Sequence, residues 1–361
     1  MRVRPGKGSR PRTRRRPAHE DAVDAFVTGV DRGRYRCWLG VRTVTAMKAR
    51  ELGRRGIVVG DRVRLAGDVS GLPGSLARVV RVQPRTSVLR RSGEDDDPAE
   101  RIIVANADQL VIVTALATPP PRPRLIDRFL VAAFDAGLEP LLCLTKADLA
   151  SPEELLAAYE PLGVRALVLS RPFNGQLDRL RALLAGRISV LVGHSGVGKS
   201  TLVNALLPAA ARAVGEVSLV TGRGRHTSSS VVALQLPPWR VRAVDDDRRA
   251  GAEFPPVPDN AVPDHSGGGW IIDTPGLRSF GLGYVAADRV VSAFPEFAEA
   301  IAQCQPGCSH LSAGCALDAW TVEHGGPTAA ARLDSLRRLL RSREGPDRAE
   351  SDEPDRAGPA G

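Results

Sequence analysis

The sequence predicts a multidomain α/β protein: a small β-barrel, then a parallel-sheet domain, then a helical segment built around a metal cluster. Three observations predict it. Short β-like runs crowd residues 21 to about 89. From residue 101 onward, apolar strands alternate with helical spacings, the pattern of a parallel sheet covered on both faces. Near the C-terminus, three cysteines and a histidine fall between Cys304 and Cys315.

The chain opens on a basic arm. Residues 1–16, MRVRPGKGSRPRTRRR, hold eight Arg or Lys and no acid. Such a segment stays disordered and binds polyanions, and we set the arm at residues 1–20. It carries much of the net charge of +9, and the chain's pI near 9.9 points to nucleic acid over a merely solvating tail. No apolar run approaches a membrane span and no apolar core follows the basic start, so neither a membrane protein nor a secretory signal is expected. The cysteine count is odd, five, which suits a reducing compartment and a metal site better than a disulfide framework.

Residues 21–91 form the predicted barrel. Runs such as AVDAFVTGV, RYRCWLG, VRLAG and LARVVRV are punctuated by Gly, Pro and Asp. Five or so short strands in this length predict a barrel of the OB type, an architecture that often binds RNA. An acidic linker, SGEDDDPAE, follows at 92–100.

Residues 92–285 form the predicted α/β domain. IIVANADQLVIVTAL contains a continuous buried strand, and RLIDRFLVAAFDAGL has helical spacing with Gly137 as C-cap. EPLLCLTKADL is another buried strand. SPEELLAAYEPLG opens with a serine cap and a proline at the first helical position. VRALVLS and LDRLRALLAG read as strand and helix. Residues 237–269, rich in Pro, Gly and Asp, read as a flexible insertion. Residues 286–343 are helical around the cysteine cluster, and 344–361 is a disordered tail.

GHSGVGKS, at 193–200, is a phosphate-binding loop in its proper setting, between the strand ISVLV and the helix KSTLVNALL. Gly193, His194, Ser195, Gly196, Val197, Gly198, Lys199, Ser200 and Thr201 surround the phosphates, chiefly through backbone N–H groups and the helix N-terminus. Lys199 reaches the β and γ phosphates. Ser200 is a magnesium ligand. The His194 side chain is read as incidental. Downstream, DTPG places Asp273 at the end of a strand, as the second acidic element of such sites, and Gly276 offers its N–H to the γ-phosphate. Many relatives of this class have a water-orienting Gln after that glycine. Here it is Leu277, so the water needs another partner.

Between the two motifs lies TGRGRHTSSS, at 221–230. Thr227 is the candidate to sense magnesium and the γ-phosphate, with Ser228 and Ser229 as fallbacks. His226 beside it either positions water or is an exposed loop histidine. Arg223 and Arg225 either stabilise charge or contact RNA.

The base reader stands upstream. TKAD, at 145–148, ends an apolar strand and resembles the guanine motif N-K-x-D, with Thr145 in place of Asn. Guanine offers two donors, N1–H and the 2-amino group, and one carboxylate, Asp148, accepts both. Lys146 and Ala147 lie along the base, and Ser170, ending the next strand, supports it from the other side. The expected nucleotide is therefore a guanine nucleotide, with the motifs in permuted order. Movement of the second switch then acts directly on the C-terminal domain.

Cys304-x3-Cys308-x-His310-x4-Cys315 gives three thiolates and one imidazole, a closed tetrahedral set for one structural zinc ion. Cys37 and Cys143 lie in apolar strands and read as core residues.

Taken together, VGDRV, PRTSVLRR, ANADQLVIV, LIDRFL, GHSGVGKSTLVNAL, GRGRHTS, IIDTPGLRSFGL, FPEF and the cysteine cluster make the chain resemble the ribosome small subunit-dependent GTPase A family. The resemblance covers about residues 21–340. It implies an N-terminal OB-fold barrel, a circularly permuted P-loop GTPase domain and a C-terminal helical zinc-binding domain. It also implies a cytoplasmic GTP hydrolase that assists late maturation of the small ribosomal subunit, whose rRNA it contacts. The subunit stimulates hydrolysis, and hydrolysis drives release. A monomer is expected. The chain departs from the family at Thr145, at LRSF after the DTPG motif and in its longer 237–269 insertion. The alternative is an RNA-binding assembly scaffold regulated by nucleotide with little turnover, and Leu277 keeps it in view.

Overall fold

The computed structural model describes residues 19–53, 56–91, 101–173, 175–207, 231–238, 268–274, 285, 287–312, 314–324 and 326–344. The basic arm up to residue 18, the acidic linker, the 221–230 loop, most of the 237–269 insertion and the tail beyond 344 lie outside them. So do His226, Thr227 and Gly276.

The first strands are β1 (Val23–Asp31), β2 (Arg34–Trp38), β3 (Thr43–Lys48), β4 (Arg62–Gly67) and β5 (Ala77–Val82). In β2 the alternation is direct: Tyr35 and Cys37 are buried while Arg34 and Arg36 face water. The strands run in the order β1-β2-β3-β5-β4, and β4 pairs back onto β1, which closes a five-stranded barrel. Val27, Cys37, Val44, Ala46, Leu65 and Val79 fill it.

Past the barrel, β6 (Val88–Arg91) pairs with β7 (Arg101–Ala105) in a separate two-stranded sheet. The run expected to contain a continuous buried strand contains one, and β7 precedes it. Asn106, with φ 55°, separates β7 from β8 (Gln109–Ala115). Asn106 has a reason to turn there. Its Nδ2 donates to the Gly60 carbonyl at 2.8 Å, and its Oδ1 accepts from the Thr86 N–H at 2.8 Å. Gly60 cannot be replaced: its φ is 91°, and a Cβ would sit 1.9 Å from the Ala105 carbonyl oxygen. Next to it Arg85 grips the fully buried Asp61 through Nε at 2.7 Å and Nη2 at 2.8 Å. VGDRV, PRTSVLRR and ANADQL thus meet in one joint between barrel and α/β sheet.

The sheet continues with β9 (Glu139–Thr145), β10 (Arg165–Val168), β11 (Ile188–Val192), β12 (Val232–Gln235) and β13 (Trp270–Asp273). The order β10-β9-β8-β11-β13 is parallel, and β12 adds antiparallel to β13. Strand β12 also pairs with barrel strand β1, with Gly29 opposite Val232, so one sheet runs through both units. At this seam Trp270 lies 5.0 Å from the Phe26 ring and 6.1 Å from the Trp38 ring.

Helices cover both faces. On one side α1 (Pro123–Ala136), α2 (Glu153–Tyr159) and the C-terminal helices α5 (Ala287–Val291), α6 (Ala298–Ile301), α7 (Ala316–His324) and α8 (Gly326–Glu344) pack on Leu110, Ile112, Leu142 and Leu144. On the other, α3 (Gln176–Leu184) and α4 (Lys199–Leu206) pack on Val111, Val113, Leu141 and Cys143. Alternate residues of β8 and β9 therefore serve opposite cores, which is why these strands read as unbroken apolar runs. Helix α1 ends at Gly137, in the left-handed region at φ 68°, as the sequence predicts. Ser151 Oγ accepts the Glu153 N–H at 3.3 Å, and α2 begins at Glu153, one residue past the expected proline start. Among the described residues no helix is long and apolar enough to cross a membrane.

Strands 8, 9 and 10 step one way across the sheet and strands 11 and 13 the other. The order reverses between β8 and β11, and the crevice beyond their C-terminal ends is where such sheets bind ligands.

Candidate functional site: a P-loop crevice and a metal cluster

Residues 193–200 turn from β11 into α4 at that crevice. β11 is buried along its whole length, so the loop starts from a fixed strand. Gly193 lies against β8: with φ 151°, a Cβ there would meet the Val113 carbonyl oxygen at 2.3 Å. Gly198, in the left-handed region at φ 93°, caps α4, and Lys199 is the first helical residue. A helix N-terminus presents N–H groups and a partial positive charge, the basis of phosphate binding.

Lys199 Nζ donates to the Thr274 carbonyl at 3.2 Å and stands 3.3 Å from Asp273 Oδ1. Thr274, which the sequence reading passed over, donates its hydroxyl to the Leu191 carbonyl at 2.8 Å. The DTPG strand end is thereby tied to the strand before the loop. Asp273 Oδ1 is a buried oxygen with no hydrogen-bond partner beyond that ammonium. Ser200 is exposed on the first turn of α4. A carboxylate oxygen paired only with a lysine ammonium, and an exposed hydroxyl next to that lysine in sequence, suit a hydrated magnesium ion.

His194 Nε2 is buried and unpaired. Burial, then the positive charge of Arg122, lowers the pKa of its imidazole. Ser195 and Gly196 are exposed on the loop, and Val197 is buried in the core against α4.

The TKAD segment sits beside this loop. Thr145 is buried, and its Oγ1 lies 2.6 Å from the Val197 carbonyl and 3.2 Å from the Thr114 carbonyl. Lys146, with φ 60°, donates from Nζ to the Gly196 carbonyl at 2.9 Å and to the Thr118 carbonyl. Ala147 N–H donates to the Leu169 carbonyl at 3.1 Å. Asp148 is exposed, and its Oδ1 accepts the Arg171 N–H at 3.2 Å. Ser170 N–H donates to Gln176 Oε1 at 2.8 Å. The loops after β9 and β10 thus form one wall joined to the phosphate loop. Three partners in that wall, Gln176, Arg171 and the segment 118–122, were not anticipated. The proline run TPPPRP after a buried strand was the available signal for the last of them.

The second site is in the helical module. The ligand atoms of Cys304, Cys308, His310 and Cys315 all lie within 4.8 Å of one another. Cys304 Sγ is 3.6 Å from Cys315 Sγ and 3.6 Å from His310 Nδ1. Cys308 Sγ is 3.7 Å from Cys315 Sγ, and Cys315 Sγ is 3.6 Å from His310 Nδ1. All five cysteines are free. A tetrahedral zinc ion with usual bond lengths sets S···S at about 3.8 Å and S···N at about 3.6 Å. These spacings exceed a disulfide and match a shared cation. The His310 N–H donates to Cys308 Sγ at 3.4 Å and lowers that thiol's pKa. Burial pushes Cys315 up to about 12. Cys37 and Cys143 lie in the cores, and burial pushes both up to about 12.

Comparison with known proteins bears on these sites. The model of the RsgA GTPase family matches residues 82–241. A small ribosomal subunit biogenesis GTPase RsgA of Pseudomonas aeruginosa (strain LESB58) is 37% identical over 295 residues, covering 79% of this chain and 76% of that protein. The protein of the same name from Chromohalobacter salexigens is 38% identical over 296 residues, 79% of this chain and 75% of that one. Among solved structures, YjeQ from Thermotoga maritima superposes with a TM-score of 0.60 at 22% identity, covering 90% of this chain and 99% of that chain. YloQ, described as a circularly permuted GTPase, gives 0.58 at 19% identity, over 92% and 99% of the two chains. These structures share the fold: barrel, permuted P-loop sheet and helical C-terminus.

Proposed function

The chain belongs to the RsgA GTPase family, and from that membership we propose how its two sites serve the biogenesis of the small ribosomal subunit. It is a GTP hydrolase. Guanine binds the wall made by Lys146, Ala147, Asp148 and Ser170, with Asp148 accepting the N1–H and the 2-amino group. The phosphates lie in the loop 193–200 with Lys199, Ser200 and Thr201. Ser200 and Thr227, near Asp273, would hold a magnesium ion, which would neutralise charge on the β and γ phosphates. Gly276 donates its N–H to the γ-phosphate, and His226 positions water in place of the Gln that Leu277 displaces.

One observation carries the nucleotide reading. Thr145 and Lys146, far from the phosphate loop in sequence, both bond to its carbonyls at 2.6 and 2.9 Å. A strand-end TKAD is a common string; one built into a P-loop is a base reader.

We assign residues 21–91 to the barrel unit, 92–285 to the GTPase unit and 286–343 to a unit holding one structural zinc ion on Cys304, Cys308, His310 and Cys315. All four ligands come from protein, so zinc here shapes the fold and leaves no position for substrate. The protein acts in the cytoplasm as a monomer. It engages small-subunit rRNA through the basic arm and barrel, assists late maturation and leaves on hydrolysis. The test is multiple-turnover GTP hydrolysis with and without purified small subunits. Strong stimulation supports the reading. Tight binding to subunits without stimulated turnover overturns it in favour of a nucleotide-regulated scaffold.

A further inference from the structure

Helix α8 touches two units with adjacent residues. Arg337 donates from Nε to the His310 carbonyl at 3.1 Å and pairs with Asp318 at 2.8 Å, so it belongs to the metal cluster's surroundings. Arg338 turns to α1. Its Nε lies 3.2 Å from Asp127 Oδ1 and 3.1 Å from Oδ2, and its two terminal nitrogens lie 3.3 Å from the Ala158 carbonyl. Its guanidinium carbon stands 4.9 Å from the centre of the Tyr159 ring. Tyr159 donates its hydroxyl at 3.0 Å to the carbonyl of Pro123, the first residue of α1.

Packing alone does not call for this cluster. Asp127 is 3% exposed, and burial raises its pKa against the opposing pull of Arg338. Apolar side chains hold two helices together at least as well as a buried ion pair does. What the ion pair and the tyrosine add is direction: both fix the beginning of α1.

The beginning of α1 continues the segment that lies on the nucleotide site. The Thr118 carbonyl accepts from Lys146 Nζ, whose other partner is the Gly196 carbonyl. Pro119 Cδ lies 3.4 Å from where a Cβ on Gly196 would be. Any shift of the α1 start is felt by the lysine along the base and by the phosphate loop together.

We infer that Asp127, Tyr159 and Arg338 are positioning residues for the nucleotide site, through which the C-terminal helix fixes the start of α1 and, with it, Lys146 and Gly196. The inference rests on the guanine-nucleotide reading of the P-loop crevice. Nothing in it needs contact between these three side chains and the nucleotide. It makes the Arg338 contact with Asp127, rather than docking of α8 as such, a condition for tight nucleotide binding.

The experiment uses the full chain and a fluorescent GDP, reading affinity and dissociation rate. Asp127→Asn, Arg338→Gln and Tyr159→Phe each loosen the α1 start, and each is expected to weaken GDP by about three- to tenfold, mainly through faster dissociation. The Asp127→Asn/Arg338→Gln pair should lose no more than the worse single change, and Arg338→Lys should recover part of the loss. Arg332→Gln is the control. Arg332 holds the same helix through Glu296, the Pro161 carbonyl and the Phe294 ring, none of which belongs to α1, so this variant should bind GDP as the unaltered protein does. Tyr159→Phe keeps the ring and remains readable if the charge variants fail to fold. The inference is overturned if the variants melt earlier yet bind GDP normally, or if Arg332→Gln weakens binding as much. If the unaltered protein binds no guanine nucleotide, the site reading itself fails.

Discussion

Thr145 Oγ1 lies 2.6 Å from the Val197 carbonyl oxygen, so the end of β9 is hydrogen-bonded to the loop 193–200. The Thr114 carbonyl stands 3.2 Å from the same hydroxyl. Both neighbours are acceptors, and a hydroxyl has one proton to give. An asparagine amide has two. Thr145→Asn is therefore expected to serve both carbonyls and tighten GDP and GTP by up to about tenfold, the worth of one net hydrogen bond. Thr145→Val should weaken both by a similar factor. Titration with fluorescent nucleotides decides it. Weaker binding by Thr145→Asn would mean that the site has closed around the smaller side chain.

In the proposed site Asp148 carries base choice, and its exposed carboxylate accepts the Arg171 N–H at 3.2 Å. Asp148→Asn replaces an acceptor pair by a mixed amide. Guanine then loses a partner for its 2-amino group, while the C2 carbonyl of xanthine gains a donor. Preference should move from guanine toward xanthine nucleotides by at least about tenfold, with Lys199 and the phosphate loop untouched. Unaltered selectivity would show that TKAD is not the base reader and that the permuted assignment is wrong.

Much of this site was legible because its parts are local. The phosphate loop is eight consecutive residues between a strand and a helix, and the metal set spans Cys304 to Cys315. In the barrel, the alternation of Arg34, Tyr35, Arg36 and Cys37 declares a strand with one wet face. What was not legible depends on pairs distant in sequence. Nothing local to Gly29 says that it pairs with Val232, and nothing local to Asp127 says that its cation is Arg338. The run IIVANADQLVIV shows its continuous buried strand, but its apolar content hides the turn at Asn106. That turn is stabilised by Gly60 and Thr86, residues of the barrel side. The motif resemblance marked these stretches without saying that they touch.

The metal cluster makes a prediction about thiols. With zinc bound, Cys304, Cys308 and Cys315 are ligands and protected. Cys37 and Cys143 are protected differently, by cores in which neither is exposed and both thiols are pushed up to about 12. Native protein treated with a strong chelator should expose three reactive thiols, and the remaining two should react only in denaturant. Cys308→Ser should lose the metal and loosen residues 286–343, because metal binding energy is part of the folding energy of such modules. Metal analysis giving about one zinc per chain is the direct check. Five thiols reacting at one rate after chelation, or full metal retention in the variant, would contradict it.

The last prediction concerns the joint between barrel and GTPase sheet. Asp61 has a fully buried side chain whose two oxygens are taken by Arg85 and by the Val58 N–H at 2.8 Å. Arg85 reaches on to the Gly56 carbonyl at 2.9 Å, so one guanidinium ties two turns together. Arg85→Met keeps most of the stem volume but leaves a buried carboxylate with no counter-charge. Breaking a buried pair from one side costs about 3–5 kcal/mol, far more than an exposed ion pair is worth. Asp61→Asn/Arg85→Met removes both charges and should recover part of that loss. Urea unfolding of the three variants measures it. If Arg85→Met is as stable as the parent, water reaches Asp61 and the joint is looser than its hydrogen bonds imply. If the double variant is less stable than Arg85→Met, the charge on Asp61 is held by the Val58 N–H alone, and the arginine is there to tie the Gly56 turn.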